Sequence, residues 1–306
     1  MTRILLVSDL HYPSDRGLAW VLTEVLRRIN VDALVLGGDF VDHGNENDVD
    51  RLLALIRRTH KGPILAVWGN HEHYLSRSKV RDGWTSLDQL ERLRQVMVRH
   101  GTLILDVNGP VRIGDISLVG VVGWYDYSYG PPQFTEEDYG RCNPFGYSLE
   151  ELQHCSKNPY HPWCPPWWRN DCLYVRLPMH HRDYAKLNAE KLESQLRAAE
   201  PPVMVVLHHV PRRDLIRYTG NPQEDFDYAY AGSPVLGEVI NSYAEKIAVI
   251  AYGHLHDGSA ARLMTINGIQ HVNTYPNYSK DPGFVLVTVE GGRASITMIR
   301  YGRHAV

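Results

Sequence analysis

The side chains best able to hold metal ions fall into five small groups: Asp9 with His11, Gly38-Asp39, Gly69-Asn70-His71, His208-His209, and His254 with His256. Carboxylates, an amide carbonyl and imidazoles make a mixed oxygen and nitrogen donor set. Such a set suits Zn, Mn, Fe, Co or Ni better than Ca or Mg. Asp39 has two carboxylate oxygens and can bridge two cations, and Gly38 ahead of it lets the backbone approach closely. His71, beside Asn70, is left to face a substrate. Taken alone, each group has an ordinary explanation: Asp39 could cap a helix, and a lone exposed histidine commonly has no role.

What sets the five groups apart is where they stand. Each follows a short apolar run: ILLV, ALVLG, ILAVW, VMVVL and IAVIAY. Unbroken runs of Val, Ile and Leu read as strands buried on both faces. In open α/β sheets ligands bind beyond the carboxyl ends of the strands. The order of the chain therefore predicts that seven or eight metal-competent side chains meet on one rim.

The surrounding pattern supplies the scaffold. Strands at 3–8, 33–37 and 64–68 alternate with helices at 16–29, near 46–59 and near 86–99. That order implies right-handed crossovers and a largely parallel sheet. Short strands at 103–105, 111–113 and 116–122 read as a meander. A helix at 182–199 precedes strands at 203–207 and 247–252, which flank a helix near 234–245. Tail runs near 261–266, 269–273, 284–289 and 294–300, with turns such as Asn267-Gly268, read as an antiparallel second sheet. The expected architecture is α/β, a four-layer α/β/β/α sandwich of two sheets in a single domain over 1–306.

Residues 124–181 interrupt this pattern. The stretch is rich in Tyr, Trp and Pro, holds Cys142, Cys155, Cys164 and Cys172, and lacks clear periodicity. Long irregular segments in a compact domain are commonly functional, and so many aromatics argue against disorder. It reads as a packed insertion, a lid or cap near the rim. The cysteines form no CxxC pair, which disfavours a zinc knuckle. Their clustering in a Pro-rich stretch speaks for disulfide staples, against the free thiols that are the default in a cytosol.

Composition narrows the function. The net charge of −3 gives a weak overall field, and there is no long Lys/Arg run. Both count against a nucleic-acid partner. No stretch reaches the ~18 apolar residues of a membrane helix, and the first residues lack the apolar core of a signal peptide. A cytoplasmic protein without a membrane partner is expected.

The series DLH, GDFVD, GNHE, V-x-x-H and GHLH resembles the calcineurin-like metallophosphoesterases, over residues 4 to about 256 without the insertion. The resemblance implies the metallophosphoesterase fold and a two-metal hydrolase. It implies that Asp9, His11 and His256 bind one divalent transition ion (Mn, Fe, Zn, Ni or Co). It also implies that Asn70, His208 and His254 bind a second, that Asp39 bridges both, and that His71 is catalytic with Asp42 orienting it. Asp42 stands where purple acid phosphatases carry Tyr, so no tyrosinate-bound iron is expected. His43 stands where Ser/Thr protein phosphatases carry a phosphate-binding Arg, which argues against phosphoprotein activity. His43 and His209 are the candidate substrate contacts.

The expected chemistry is phosphoester hydrolysis by a metal-bridging hydroxide, with His71 assisting the leaving group. A phosphodiesterase of small nucleotide-like substrates is favoured, with a manganese assay as its test, because insertion aromatics could stack a base. A phosphomonoesterase and a nuclease are the alternatives. A non-catalytic scaffold of the same fold is a rival from another class, but the chain keeps all seven ligands together with His71 and Asp42.

Overall fold

Alternation along β1 (Thr2–Val7) sends Ile4 and Leu6 to one face and Leu5 and Val7 to the other. Both faces are buried, and that sets the layering. The computed structural model of the chain describes residues 1–141, 168–256, 262–277 and 282–301. β1, β2 (Ala33–Gly37), β3 (Ile64–Val67) and β4 (Thr102–Ile104) run parallel in that order. β11 (Gly283–Glu290) pairs antiparallel with β1, and β12 (Arg293–Arg300) with β11.

The second sheet is also mixed. β6 (Ile116–Val121), β7 (Val203–Leu207), β8 (Ile247–Tyr252) and β10 (Ile269–Asn273) run parallel. β5 (Val111–Ile113) and β9 (Leu263–Ile266) are its antiparallel edges.

The sheets pack face to face. Ile4, Leu6, Val35, Leu65 and Val67 meet Leu118, Met204, Val206, Val249 and Val272 in the middle layer. On the outer face of the first sheet, Leu5, Leu34, Leu36 and Ile64 receive α1 (Arg16–Arg28), α2 (Glu46–Arg57) and α3 (Ser86–Arg99). The capping box of Thr85 and Asp88 starts α3 cleanly. On the outer face of the second sheet, Val205, Leu207 and Ile250 receive a long helix, His181–Ala198, and Pro234–Ser242. This is an α/β/β/α sandwich of two mixed sheets.

Two expectations change. The runs around 103–121 form no meander, because β4 extends the first sheet while β5 and β6 open the second. The tail forms no separate antiparallel sheet, because its strands are shared out: β9 and β10 go to the second sheet, β11 and β12 to the first. The physical reason is that β1 and β8 each expose an unpaired edge, and an edge is a template for any nearby extended chain.

Of the aromatic insertion, residues 124–141 and 168–181 are described. Trp124 and Tyr125 are buried in the core above the first sheet. Trp124 Nε1 donates to His181 Nδ1 at 2.9 Å, which ties the start of the insertion to its end. Cys172 is disulfide-bonded. Cys142, Cys155 and Cys164 lie outside the described residues, as does the stretch 142–167. Among the described residues no helix is long and apolar enough to cross a membrane.

Candidate active site

Five parallel strands end on one rim. Asp9 and His11 follow β1, Asp39 and Asp42 follow β2, and Asn70 and His71 follow β3. His208 follows β7, and His254 and His256 follow β8. Because the sheets face each other, side chains from both reach one space.

The backbone there is unusual. Asp9, His11, Asp39 and His254 all have φ between 43° and 69°, the left-handed region that non-glycine residues seldom occupy. Such conformations persist where the surroundings over-determine them, and they gather at functional sites. Glycines make the crowding tolerable. A Cβ on Gly38 would stand 2.5 Å from His208 Nδ1, and one on Gly253 would stand 2.6 Å from Asp9 Oδ2.

Two donor groups form. In the first, Asp9, His11 and His256 bring ligand atoms within 4.8 Å of one another. His256 Nε2 is 2.9 Å from Asp9 Oδ1. In the second, Asp39, His208 and His254 do the same, and Asn70 Oδ1 lies 3.0 Å from His208 Nε2 and 3.1 Å from His254 Nδ1. Asp39 belongs to both neighbourhoods. Its Oδ1 accepts from the His71 backbone N–H at 2.9 Å, while its Oδ2 lies 3.3 Å from His208 Nε2 and 4.0 Å from His11 Nε2.

The hydrogen bonds around the second group show why a cation fits it. Asn70 Nδ2 donates to Asp171 Oδ1 at 2.8 Å and to Tyr74 Oη at 3.0 Å, which fixes the amide and turns Oδ1 inward. His254 Nε2 donates to the Tyr230 carbonyl at 3.1 Å, and His208 Nδ1 to the Gly37 carbonyl at 3.0 Å. In the neutral rings His254 Nδ1 and His208 Nε2 are then bare lone pairs facing another lone pair on Asn70 Oδ1. Lone pairs about 3 Å apart repel unless a cation lies between them. Donors at right angles around an ion with ~2.1 Å bonds are about that far apart.

Electrostatics follow the same plan. Burial works against charge on Asp9, yet His256 outweighs it and holds the carboxyl at about 2. Burial likewise opposes charge on Asp39, but His208 and His71 hold its carboxyl well below the usual range. Burial drives His254 down to about 3 and His11 well below its ordinary value, so both are neutral ligands-in-waiting. His208 is the exception. Burial disfavours its charge, but Asp39 prevails and raises it to about 9, where a proton stands in for a cation.

The catalytic candidates lie beside these groups. His71 Nδ1 donates to the backbone carbonyl of Asp42 at 2.6 Å. The Asp42 carboxylate is 3.9 Å from that nitrogen, too far for a hydrogen bond, and its Oδ2 accepts from Ser14 Oγ. Asp42 thus orients His71 through its main chain, where the sequence suggested its side chain. His71 Nε2 points to the junction, 3.8 Å from Asp39 Oδ2. His43 is exposed at the rim, its ring 6.5 Å from that of His71. His209 is fully buried among Trp124, Tyr125 and His254 and does not reach the cavity.

Two further residues support the site and were not singled out from sequence. Glu72, fully buried, accepts backbone N–H groups of Gly69 at 2.7 Å, Asp39 at 2.9 Å and Val41 at 3.1 Å, binding the turns after β2 and β3 together. Burial, then Asp39, pushes its carboxyl up to about 8. Its signal was a carboxylate inside the short GNHE turn between apolar runs. Asp171 comes from the insertion, on the helix Trp168–Tyr174, and no local pattern marked it.

The model of the calcineurin-like phosphoesterase family matches residues 2–258. The chain belongs to that family. Phosphopantetheinyl hydrolase from Mycobacterium tuberculosis shares the fold at 15% identity with a TM-score of 0.65, covering 99% of this chain and 97% of that one. TT1561 of Thermus thermophilus does so at 12% identity and a TM-score of 0.56, covering 98% and 99%. A dimetal phosphatase from Danio rerio follows at 16% identity and 0.52, covering 98% and 96%. Comparison with curated proteins gives no match. For this calcineurin-like phosphoesterase, the family and the candidate ligand groups together mark the rim as the place for metal-dependent chemistry.

Proposed function

We propose that the protein is a phosphoester hydrolase that works with two divalent transition-metal ions and prefers phosphodiesters of small organic groups. Asp9, His11 and His256 would hold one ion, and Asn70, His208 and His254 the other, with Asp39 shared. The observation that carries this reading is the position of Asp39 Oδ2 between His208 and His11. When bound, two cations lower the pKa of coordinated water and offset charge on the phosphoryl oxygens.

The chain's own residues supply the rest. With Nδ1–H committed to the Asp42 carbonyl, His71 can give a proton to the departing oxygen only from Nε2, the nitrogen that faces the junction. His71 lines a cavity of about 240 Å³ with Asn70, His254 and His256, so a substrate there meets the donors and this imidazole at once. His43, whose ring is 6.5 Å from that of His71, would meet the outer part of the substrate. The cavity wall includes Asp171, Asp227 and Glu224 and, among the described residues, no Lys or Arg. A singly charged diester suits that wall better than a doubly charged monoester or a polyphosphate.

The test is hydrolysis of bis(p-nitrophenyl) phosphate and p-nitrophenyl phosphate by the manganese-loaded protein. Faster release from the diester supports the reading. Two bound ions with no release from either ester would overturn it.

A further inference from the structure

The cavity has an acidic wall that the hydrolytic chemistry does not use. Asp171 is 2% exposed. Its Oδ1 accepts from Asn70 Nδ2 and from Tyr74 Oη at 2.6 Å, while its Oδ2 has no hydrogen-bond partner among the described residues. Asp227 lies on a different segment, Asp225–Tyr230, which holds no candidate ligand. Its Oδ1 also lacks a partner among the described residues. Both residues line the cavity, together with Tyr74, Tyr228 and Tyr230 and with exposed Glu224 near its edge.

Buried carboxylate oxygens are costly to leave unpaired. The two ions of the proposed centre would be held by the donor groups. Asp171 reaches them only through Asn70, so one of its oxygens and that of Asp227 still want a partner. A ligand group that brings positive charge would offset that cost. Tyr74, Tyr228 and Tyr230 line the same wall, and a desolvated cation that meets an aromatic ring gains about 0.5–2 kcal/mol. A second phosphate would meet carboxylates of its own sign on this side.

We propose that this cavity selects phosphoesters whose alcohol carries an alkylammonium group, held by Asp171 and Asp227 among Tyr74, Tyr228 and Tyr230. The assignment rests on the phosphoesterase reading and names the substrate class for the same site.

The experiment compares matched esters on the manganese-loaded full chain. One pair is choline phosphate and its carbon isostere 3,3-dimethylbutyl phosphate. The other is the p-nitrophenyl diesters of the same two alcohols. The ratio of kcat/KM, ammonium over carbon isostere, is the readout; in the diester pair the departing p-nitrophenolate is the same, and in the monoester pair the part of the ratio that depends on Asp227 reports recognition. We expect a ratio of about tenfold or more in the pair that is turned over. It should fall towards one in Asp227→Asn, with half-inhibition by tetramethylammonium weakened in the same variant. If Asp227→Asn fails to fold, the wild-type ratio still decides. Turnover of both members at equal rates overturns the proposal alone. A lower rate for the ammonium ester, or faster turnover of ATP, also overturns it. No turnover of these esters or of bis(p-nitrophenyl) phosphate overturns the phosphoesterase reading and this proposal with it.

Discussion

Asn70 and Asp171 stand 101 residues apart in the chain and meet through one hydrogen bond, Asn70 Nδ2 to Asp171 Oδ1 at 2.8 Å. Through it the aromatic insertion sets the orientation of a candidate metal ligand. Partners of this kind around a metal fix ligand geometry, and their loss commonly costs 10–100-fold in affinity. Asp171→Ala should therefore weaken manganese binding at one of two sites by about that factor. Tyr74→Phe, which leaves Asp171 in place, should do less. A calorimetric titration of metal-free protein checks both. Unchanged affinity in Asp171→Ala would show that Asn70 is positioned without it.

The glycine ahead of Asp39 is there for close approach and not for loop mobility. Gly38 has φ +88°, and a Cβ there would run into the His208 ring. Gly38→Ala should destabilise the fold by about 1–3 kcal/mol through overpacking and a left-handed backbone. It should also reduce metal uptake, because His208 must move. Urea unfolding of the metal-free variant gives the first quantity, and metal content after manganese loading gives the second. Wild-type stability would mean that the loop relaxes freely.

His71 is assigned to proton transfer and not to metal binding. His71→Ala should lose turnover by about 10²–10⁴-fold while keeping both ions. Metal analysis beside a diester assay separates the roles. Loss of an ion in this variant would make His71 a ligand, in keeping with the third cluster it forms with His11 and Asp39.

Buried His73 and half-buried His181, neither a candidate ligand, make stability depend on pH. Burial lowers His73 to about 4, where its Nδ1 meets the Gly69 carbonyl at 2.7 Å, and lowers His181 to about 4, where its Nδ1 accepts from Trp124. In the unfolded chain both take protons near 6.5. The folded state resists, so stability present above pH ~6.5 drains away as pH falls towards 4, by up to ~1.4 kcal/mol per unit for each residue. Glu72, held up near 8, acts in the opposite sense. The informative quantity is therefore a difference. Between pH 7 and 5, His181→Gln should lose less stability than the wild type in urea titrations of metal-free protein. Equal losses would contradict the assignment.

How far the chain could be read in advance depended on the range of the interaction. Strands with both faces buried and helices with one apolar stripe carry their own periodicity, so β2 at Ala33–Gly37 and α3 at Ser86–Arg99 match the expected spans. The rim was legible because Asp9, Asp39, Asn70, His208 and His254 each follow such a strand. Sheet membership of the tail was not, since Val285 beside Leu6 is a contact between chain ends that no local pattern encodes. The left-handed backbone at Asp9 and Asp39 was hidden for a related reason: it is enforced by neighbours, against local preference. Asp171 reaches Asn70 from an aperiodic segment, and nothing near it in the chain announced that partner.

A carboxylate shared by two cations is what Asp39 is proposed to be. Anomalous scattering at the manganese edge, measured on crystals of the manganese-loaded protein, locates the ions. Two peaks about 3.5–4 Å apart are expected, one beside Asp9, His11 and His256 and the other beside Asn70, His208 and His254, with Asp39 touching both. A single peak, or two peaks of which Asp39 touches only one, would rule out the shared carboxylate.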